Sequence, residues 1–299
     1  MDRSQVASLR SFNRLVTERI GALHDDYLSR NRPLGASRVL WEVGAGAVDV
    51  RALRARLGLD SGYLSRLLRG LEDEGLVRTE ASADDARVRS VDLTAAGRRE
   101  RDLLDAQSDD LAASLLDPLS APQRARLVEA AGVVERLLTA GLVEVAIEPP
   151  TSDDAQHCLQ AYFAELDDRF DTGFDPAISN PADVEDMTEP AGLLLVARLR
   201  QVPIGCGALK LHGDQPAEIK RMWVDPSSRG LGVGRRVLAE LEQHAAARGA
   251  PAARLETNAA LVEAISMYLA AGYEEVPPFN DEPFAHHWFE KHLGAGRDS

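Results

Sequence analysis

The chain has 299 residues, and at roughly 150 residues per domain this length suggests two domains. Its apolar fraction of 44% and charged fraction of 27% are ordinary for a globular protein. No run approaches the roughly 18 consecutive apolar residues of a transmembrane helix, and no signal peptide is recognisable, so we expect a cytoplasmic protein without membrane contact. The two cysteines exclude a disulfide framework.

The net charge of −14 is unevenly distributed. Residues 1–140 contain 21 Arg and 22 acidic residues, whereas residues 141–299 contain 13 Lys plus Arg and 26 acidic residues. The first half is therefore nearly neutral and the second half strongly acidic. Such an asymmetry indicates different partners for the two halves.

The first half has the pattern of a winged helix-turn-helix. Apolar periodicity predicts, in chain order, a helix over 4–30, a short helix over 37–43, helices over 50–58 and 61–74, strands over 76–80 and 88–93, and two long helices before residue 140. The 61–74 helix carries Leu64, Leu67, Leu68 and Leu71 in one apolar stripe. A helix, a turn, a helix and a β-hairpin follow one another in this order.

The second half has a mixed α/β pattern, and we place the domain boundary between 1–140 and 141–299. The predicted elements are strands over 142–147, 193–199, 204–211, 218–224 and 253–257, helices beginning near 151, 229 and 261, and one or two final strands. An acidic loop region over 171–192 separates the first helix from the strands that follow it.

Residues on the outer face of the 61–74 helix are candidates for reading DNA. With the leucine stripe turned inward, the outward residues are Ser61, Gly62, Tyr63, Ser65, Arg66 and Arg69. Small residues let a helix enter the major groove, and arginines bind guanine edges or phosphates. Arg87 and Arg89 on the hairpin are positioned for the minor groove or backbone. The alternative is a small helical module with a solvated arginine face.

The longer pattern resembles the MarR family of winged-helix regulators over about residues 5–140. It comprises the segments 53–72 and 75–77, the Asp-x-Arg of 85–89, and 93–97. The resemblance implies a mostly α winged helix-turn-helix fold and a homodimer formed by the first helix and the two helices after the hairpin. It also implies binding of a pseudo-palindromic operator in double-stranded DNA.

A glycine-rich segment at 229–235 precedes a predicted helix. Consecutive backbone N–H groups at a helix N-terminus bind anions such as phosphate. The segment lacks the Gly-Lys-Ser/Thr of a P-loop and the third glycine of a dinucleotide fingerprint. Taken alone, it is equally compatible with a plain helix-capping turn.

Together with segments 217–226, 255–258 and 264–273, this loop resembles the GNAT acetyltransferase superfamily over about residues 142–293. The resemblance implies an α/β fold with a mixed, mainly antiparallel central sheet and acetyl-CoA as the acetyl donor. The cofactor-binding residues that it implies are Met222, Trp223, Val224, Arg229, Gly230, Leu231, Gly232, Val233, Gly234, Arg235 and Asn258.

The same resemblance implies two catalytic residues. Glu218 matches the position where several members keep a general base, and Tyr268 matches the tyrosine that protonates the departing thiolate. The alternatives are a solvated strand-end carboxylate, with a water chain as base, for Glu218, and a core aromatic residue for Tyr268.

Candidate acceptor residues lie on the first helix of the second half. Glu165, Arg169 and Phe170 occupy a region that borders the acceptor pocket in this fold. An inward-facing Arg169 would bind a carboxylate and favour an amino-acid-like or peptide-like amine; a solvated helix face is the alternative. No cluster with metal-ligand spacing is present, so we predict no metal site.

These patterns predict a bifunctional protein, a DNA-binding transcriptional regulator that also N-acetylates a small primary amine. Two alternatives remain at this stage. In one, the second domain is a non-catalytic sensor of acetyl-CoA or an amine, and in the other, the first half only dimerises an enzyme.

Overall fold

A computed structural model describes residues 2–24, 27–44, 46–81, 89–171, 173–176, 178–179 and 183–294. The chain divides into two compact units, Met1–Ala131 and Gly132–Ser299. The division lies inside a helix whose C-terminal end is the predicted domain boundary at residues 140 and 141. In the described ranges, no helix is long and apolar enough to cross a membrane.

The first unit combines helices with a small antiparallel sheet in the order β1-β3-β2. Its elements are α1 (Arg3–Arg19), α2 (Leu34–Val43), β1 (Val48–Asp49), α3 (Val50–Leu57), α4 (Ser61–Asp73), β2 (Val77–Ala81), β3 (Arg89–Leu93), α5 (Ala95–Leu116) and α6 (Ala121–Ala140), which crosses the division. The predicted helix over 4–30 was too long. It ends at Arg19, because Gly21 takes a left-handed conformation with φ 69°.

Helix α4 is held by its apolar face. Leu64, Leu68 and Leu71 are buried in the core of the first unit, and Leu67 packs against it partly buried. The Asp60 side chain caps the helix by accepting a hydrogen bond from the Tyr63 N–H at 2.8 Å. The opposite face is left exposed, as the leucine spacing predicts.

The second unit is a seven-stranded sheet in the order β4-β5-β6-β7-β8-β10-β9 with helices packed against it. Its elements are β4 (Val143–Ile147), α7 (Asp153–Arg169), β5 (Gly192–Leu199), β6 (Val202–Lys210), β7 (Ala217–Val224), α8 (Val233–Ala247), β8 (Ala252–Thr257), α9 (Val262–Ala270), β9 (Glu274–Glu275) and β10 (His287–His292). This mixed sheet, joined to the helical first unit, confirms the predicted fold class.

The sheet opens between its two parallel strands. β7 and β8 pair only at Ala217 with Ala253 and at Glu218 with Arg254, whereas β8 stays paired with β10 along its whole length. Beyond this point the facing edges of β7 and β8 have no strand between them. The backbone groups of these edges are therefore available to a ligand.

A buried carboxylate in the first unit holds the segment before α2 against α5. Glu100 accepts from Arg30 at 2.8 and 2.5 Å and from Arg32 at 2.5 Å, and Arg32 also donates to Glu74 at 2.6 Å. The hydrogen bond from Arg30 lowers the pKa of Glu100 more than burial raises it, and Arg32 lowers it further. The folded protein therefore stabilises the ionised form of the Glu100 carboxylate.

We expect Glu100→Gln to lower the opening free energy of α5 by about 1.5–3 kcal/mol at neutral pH, the usual range for hydrogen bonds to a charged group. Because the folded-state pKa lies below the unfolded value, the stabilisation is complete above the unfolded pKa and is lost as pH falls through the folded one. Hydrogen exchange of α5 amides at several pH values measures this. A difference between wild type and variant that persists in strong acid would contradict it.

Candidate functional site

The glycine-rich loop forms a cradle of unbonded N–H groups before α8. Gly230 and Gly232 have φ of 84° and 79°, which only glycine adopts without strain, and Gly232 is the N-cap of α8. In the described part of the chain, no backbone acceptor binds the N–H groups of Gly230, Gly232, Val233, Gly234 and Arg235. These groups and the N-terminal end of the helix dipole favour a phosphate.

The loop lines a groove of about 580 Å³, which we call the donor groove. Its walls bring together predicted cofactor residues from β7, the loop and α8, namely Met222, Trp223, Val224, Arg229, Gly230, Leu231, Gly232, Val233, Gly234 and Arg235. Arg235 is exposed and has no ion-pair partner among the described residues, so its guanidinium is available to a phosphate.

Arg229 is engaged within the protein. Its guanidinium donates to both Glu165 oxygens at 2.6 Å and to the Val224 carbonyl at 3.2 Å. The same carboxylate accepts from the Trp223 indole at 3.0 Å. Arg229 therefore ties the loop to α7, which positions the loop.

A second cavity of about 90 Å³, which we call the acceptor cavity, adjoins the donor groove. The residues that line both are Tyr162, Leu166, Met222, Leu261, Ala264 and Tyr268. Phe170, Phe174 and Phe284 form an aromatic wall, with ring centroids 4.8 to 6.0 Å apart. Phe170 thus lies in the cavity where the sequence predicted a substrate residue.

Tyr268 lies in the wall that the two cavities share. Its ring packs against Tyr273 and Phe289, with centroids 5.9 and 6.1 Å away. Burial, and then the neighbouring Tyr162 and Glu256, raise the pKa of Tyr268 well above the ordinary tyrosine value. The hydroxyl therefore keeps its proton at physiological pH and is a hydrogen-bond donor.

The structure does not bring Glu218 into either cavity. At the start of β7 its carboxylate lies 2.6 Å from Arg254, 3.5 Å from Lys220 and 3.4 Å from His212. Burial raises its pKa, but the three basic groups together outweigh burial and hold the pKa below the usual glutamate value. Glu218 is thus paired with Arg254 and Lys220, has His212 nearby and lies outside both cavities, which is the setting of a structural ion pair.

Two buried carboxylates line the acceptor cavity, Glu256 on β8 and Glu282 in the segment before β10. Glu282 accepts hydrogen bonds from the Ser179 hydroxyl and the Phe284 N–H, so we consider Glu256 as the group that faces a ligand. The Glu256 side chain is 8% exposed, and one oxygen pairs with Lys220 across the gap between β7 and β8. The other oxygen is buried without a hydrogen-bond partner in the described residues.

Glu256 lies in the segment 255–258, but the sequence pattern alone did not predict it as a site residue. Alternation along β8 was the available signal, since Glu256 lies between the buried Leu255 and Thr257.

Three further predicted positions differ from the expectation. Asn258 lines the acceptor cavity rather than the donor groove, and its side chain is occupied by the Phe284 carbonyl and the Ala260 N–H. Arg169 and Glu165 line the donor groove and not the acceptor cavity. Arg169 donates to Glu165, Glu263 and the Ala260 carbonyl, so it is satisfied internally and not free for an acceptor carboxylate.

The predicted DNA-facing residues lie together on one exposed surface of α4. Ser61, Gly62, Tyr63, Ser65, Arg66 and Arg69 are all exposed. Arg66 stacks over the Tyr63 ring at 5.7 Å, and within the described chain neither Arg66 nor Arg69 has an ion-pair partner. Arg89 is exposed at the start of β3, and Arg87 lies outside the described residues.

The fold and the donor groove define an acetyltransferase-type α/β domain that follows a winged-helix domain. Residues 155–273 match the acetyltransferase (GNAT) family, and residues 30–88 match the MarR family. The chain therefore belongs to the GNAT acetyltransferase family through its second unit and carries a MarR family winged helix in its first, which confirms both resemblances.

Three known proteins are each similar to about half of this chain or less. The IAA acetyltransferase of Azospirillum brasilense is 33% identical over 139 residues, which are 46% of this chain and 88% of that protein. A GNAT family acetyltransferase from Staphylococcus aureus is 17% identical, with a TM-score of 0.43 over 50% of this chain and 99% of that one. Reduced MarR from E. coli is 25% identical, with a TM-score of 0.39 over 42% of this chain and 93% of that one.

Members of the GNAT family use acetyl-CoA, and the donor groove fits this group. The unbonded N–H groups of the loop and the free Arg235 suit the phosphates. The open edge of β7 at 222–224 offers backbone partners to an extended amide-containing arm. Among the described residues, no three His, Cys, Asp or Glu side chains come together as a metal site.

We expect Gly232→Ala to raise the Kd for coenzyme A by roughly 5- to 30-fold, because a left-handed alanine costs about 1–2 kcal/mol and disfavours the cradle. Calorimetric titration with coenzyme A measures the effect. Gly249→Ala is the matched control: Gly249 has φ 84° and open space around it, but it follows the far end of α8. Equal losses in both variants would show that the strain acts on the fold and not on the cradle.

Proposed function

We propose that this chain is an acetyl-CoA-dependent N-acetyltransferase for a small primary amine and, through its first unit, a DNA-binding transcriptional regulator. The observation that carries the enzyme assignment is the shared wall of the two cavities. A phosphate-binding groove and a small aromatic cavity meet at Tyr268, with a buried carboxylate, Glu256, on the acceptor side. A donor and an acceptor bound in this way are held next to each other, which removes much of the entropic barrier to their reaction.

Glu256 is the proposed general base. Its unpaired buried oxygen attracts the ammonium form of the amine and accepts one proton from it. Lys220 holds the other oxygen, which fixes the carboxylate in the cavity. Glu256 takes the role that was expected of Glu218, because Glu218 is enclosed by its basic partners.

Tyr268 is the proposed acid. Acetyl-CoA supplies the activated acetyl group as a thioester. The raised pKa keeps the Tyr268 hydroxyl protonated, so that it donates a proton to the sulfur as the carbon–sulfur bond breaks. The nitrogen, now bonded to the acetyl carbon, gives up its second proton to the tyrosine oxygen, which restores the hydroxyl. The apolar residues around Tyr268 exclude water from this point.

We expect Tyr268→Phe and Glu256→Gln each to reduce kcat by roughly 10²- to 10⁴-fold, the usual contribution of a positioned acid or base. The measurement is coenzyme A release from acetyl-CoA over a panel of amines, amino acids and polyamines. Tyr273→Phe and Glu218→Gln are the matched controls, because each removes the same chemical group nearby but outside the cavities.

The outcomes separate the enzyme from its alternatives. Activity that survives Glu256→Gln but not Glu218→Gln would return the base to Glu218. Tight acetyl-CoA binding without turnover on the whole panel would instead favour a sensor domain that regulates DNA binding.

The DNA-binding assignment is supported by α4 and the sheet beside it. Two exposed arginines, Arg66 and Arg69, lie on the face of α4 opposite its buried leucines and have no ion-pair partner in the part of the chain that the structure describes. Asp60 caps α4 at the end where small side chains let a helix approach the major groove. The MarR family match over residues 30–88 supports a helix-turn-helix that binds double-stranded DNA at an operator.

A homodimer is the proposed form of the regulator. Helix α1 buries none of its residues, even the apolar ones. The side chains of Leu9, Phe12 and Leu15 are 42% to 58% exposed to solvent. Helix α6 likewise exposes apolar side chains such as Leu127. Exposed apolar surface of this kind is typical of a protein interface. A two-fold dimer would present two α4 helices to the half-sites of a pseudo-palindrome.

We expect Arg69→Ala to weaken binding to a labelled duplex of random sequence and to reduce the salt slope, d log K/d log [salt], by about 0.9, the value for one lost phosphate contact. Fluorescence anisotropy at several salt concentrations measures both quantities. Arg200→Ala removes the same exposed charge from the turn between β5 and β6 in the second unit and serves as control, with an unchanged slope expected. If Arg69→Ala and Arg200→Ala gave the same slope, α4 would not be the DNA-contacting helix.

A further inference from the structure

The acceptor cavity contains a buried arginine without an anionic partner. Arg221 on β7 lines this cavity and not the donor groove, and it is 8% exposed. Across the described residues, no carboxylate lies within ion-pair distance of its guanidinium, although the adjacent Lys220 pairs with two glutamates. A buried cation without an anion is unfavourable, because little water remains to solvate its charge.

Aromatic rings replace the missing carboxylate. The Arg221 guanidinium lies 4.7 Å from the centroid of Phe163 and 5.7 Å from that of Tyr162, both on α7. Burial raises the pKa of Tyr162 to about 12, against the opposing effect of Arg221, so its hydroxyl is neutral. The neutral rings, and a hydrogen bond to the Tyr162 side chain, orient the guanidinium without supplying a negative charge in direct contact with it.

A backbone irregularity brings Arg221 to this place. The pairing of β6 with β7 shifts register between Cys206 and Ala208, and Arg221 has a left-handed φ of 56°. A residue with a Cβ rarely adopts this conformation, and such residues are concentrated at functional sites. The bulge changes which strand residues share a face. After it, Arg221 and Trp223 lie on the side of α7.

The remaining walls define the rest of a ligand. Glu256 offers an unpaired carboxylate oxygen, and Phe170, Phe174 and Phe284 offer apolar surface. A cavity of about 90 Å³ has room for roughly six to nine waters at about 10–15 Å³ each. This is about the number of non-hydrogen atoms in a small amino acid.

We propose that Arg221 is the carboxylate-binding residue of the acceptor cavity and that the acceptor is a free amino acid with an apolar side chain. This inference rests on the proposed N-acetyltransferase function and narrows its substrate class. Arg221 binds the carboxylate through two parallel hydrogen bonds, Glu256 takes the ammonium group, and the phenylalanine wall contacts the side chain. Arg221 takes over the role that the sequence assigned to Arg169.

Three acceptors that share one side chain test this in the wild-type protein: leucine, leucinamide and isopentylamine. The amide lacks the negative charge, and the amine lacks the whole carboxylate. We expect kcat/KM to be roughly 10- to 150-fold higher for leucine than for either analogue, the range for a hydrogen bond to a charged partner. Equal or higher values for isopentylamine would overturn the inference.

Two substitutions test the residue itself. Arg221→Met should lower kcat/KM for leucine to the level that the same variant shows for isopentylamine, so that the preference for leucine disappears, because the carboxylate contact is lost. Arg221→Lys should recover part of the preference, since lysine keeps the charge but loses the two-pronged geometry. The Kd for coenzyme A, measured by calorimetry, shows that each variant retains the donor groove.

A binding measurement keeps the two proposals apart. Leucine is titrated into wild-type and Arg221→Met protein saturated with coenzyme A. Leucine that binds the wild type and not the variant, without turnover of any amine, supports the carboxylate site and refutes the enzyme. Turnover of amines with no preference for leucine supports the enzyme and refutes the carboxylate site. If leucine neither binds nor reacts, the inference is wrong.

Discussion

The separation of β7 from β8 is the constraint on which the proposed site depends. Two paired positions hold the strands together at one end, and beyond them each strand keeps only its outer neighbour, β6 or β10. The parallel pairing of β7 with β8 ends after these two positions and leaves two backbone edges free. The Lys220–Glu256 ion pair spans the gap where the backbone pairing stops. The donor groove and the acceptor cavity both begin at this opening.

Much of this arrangement was predictable from the sequence because the relevant signals are local. Leucine spacing predicted α4 and its exposed face, and the glycines of 229–235 predicted the turn before α8. The extent of α1 was not predictable in this way. Its apolar residues are exposed rather than packed in a core, so their periodicity carried no information about the end of the helix.

The differences between the expected and the observed site concern residues whose surroundings depend on long-range pairing. Glu218 matches a family position in the sequence, but its charge is taken by Arg254 from the neighbouring strand. Arg169 lies on the expected helix, but Glu263 from α9 engages it. No role was predicted for Arg221, which lies within the segment 217–226. The bulge that places its side chain in the cavity follows from the register between β6 and β7. In each case the contact that decides the surroundings is made with a residue far away in the sequence, which local patterns do not predict.

Arginine supplies 31 of the 34 cationic side chains, so the residue type alone says little about function. The ion-pair pattern separates the arginines that stabilise the fold from those that remain for ligands. Arg198, with Glu148 and Asp154 at 3.0 and 2.7 Å, belongs to the first group. An arginine without an ion-pair partner among the described residues indicates a ligand site only where its position supports one. Arg235 lies in the first turn of α8 within the donor groove, and Arg221 is buried. Because exposed arginines lose little by standing alone and a buried one loses much, Arg221 carries the stronger implication of a missing anion.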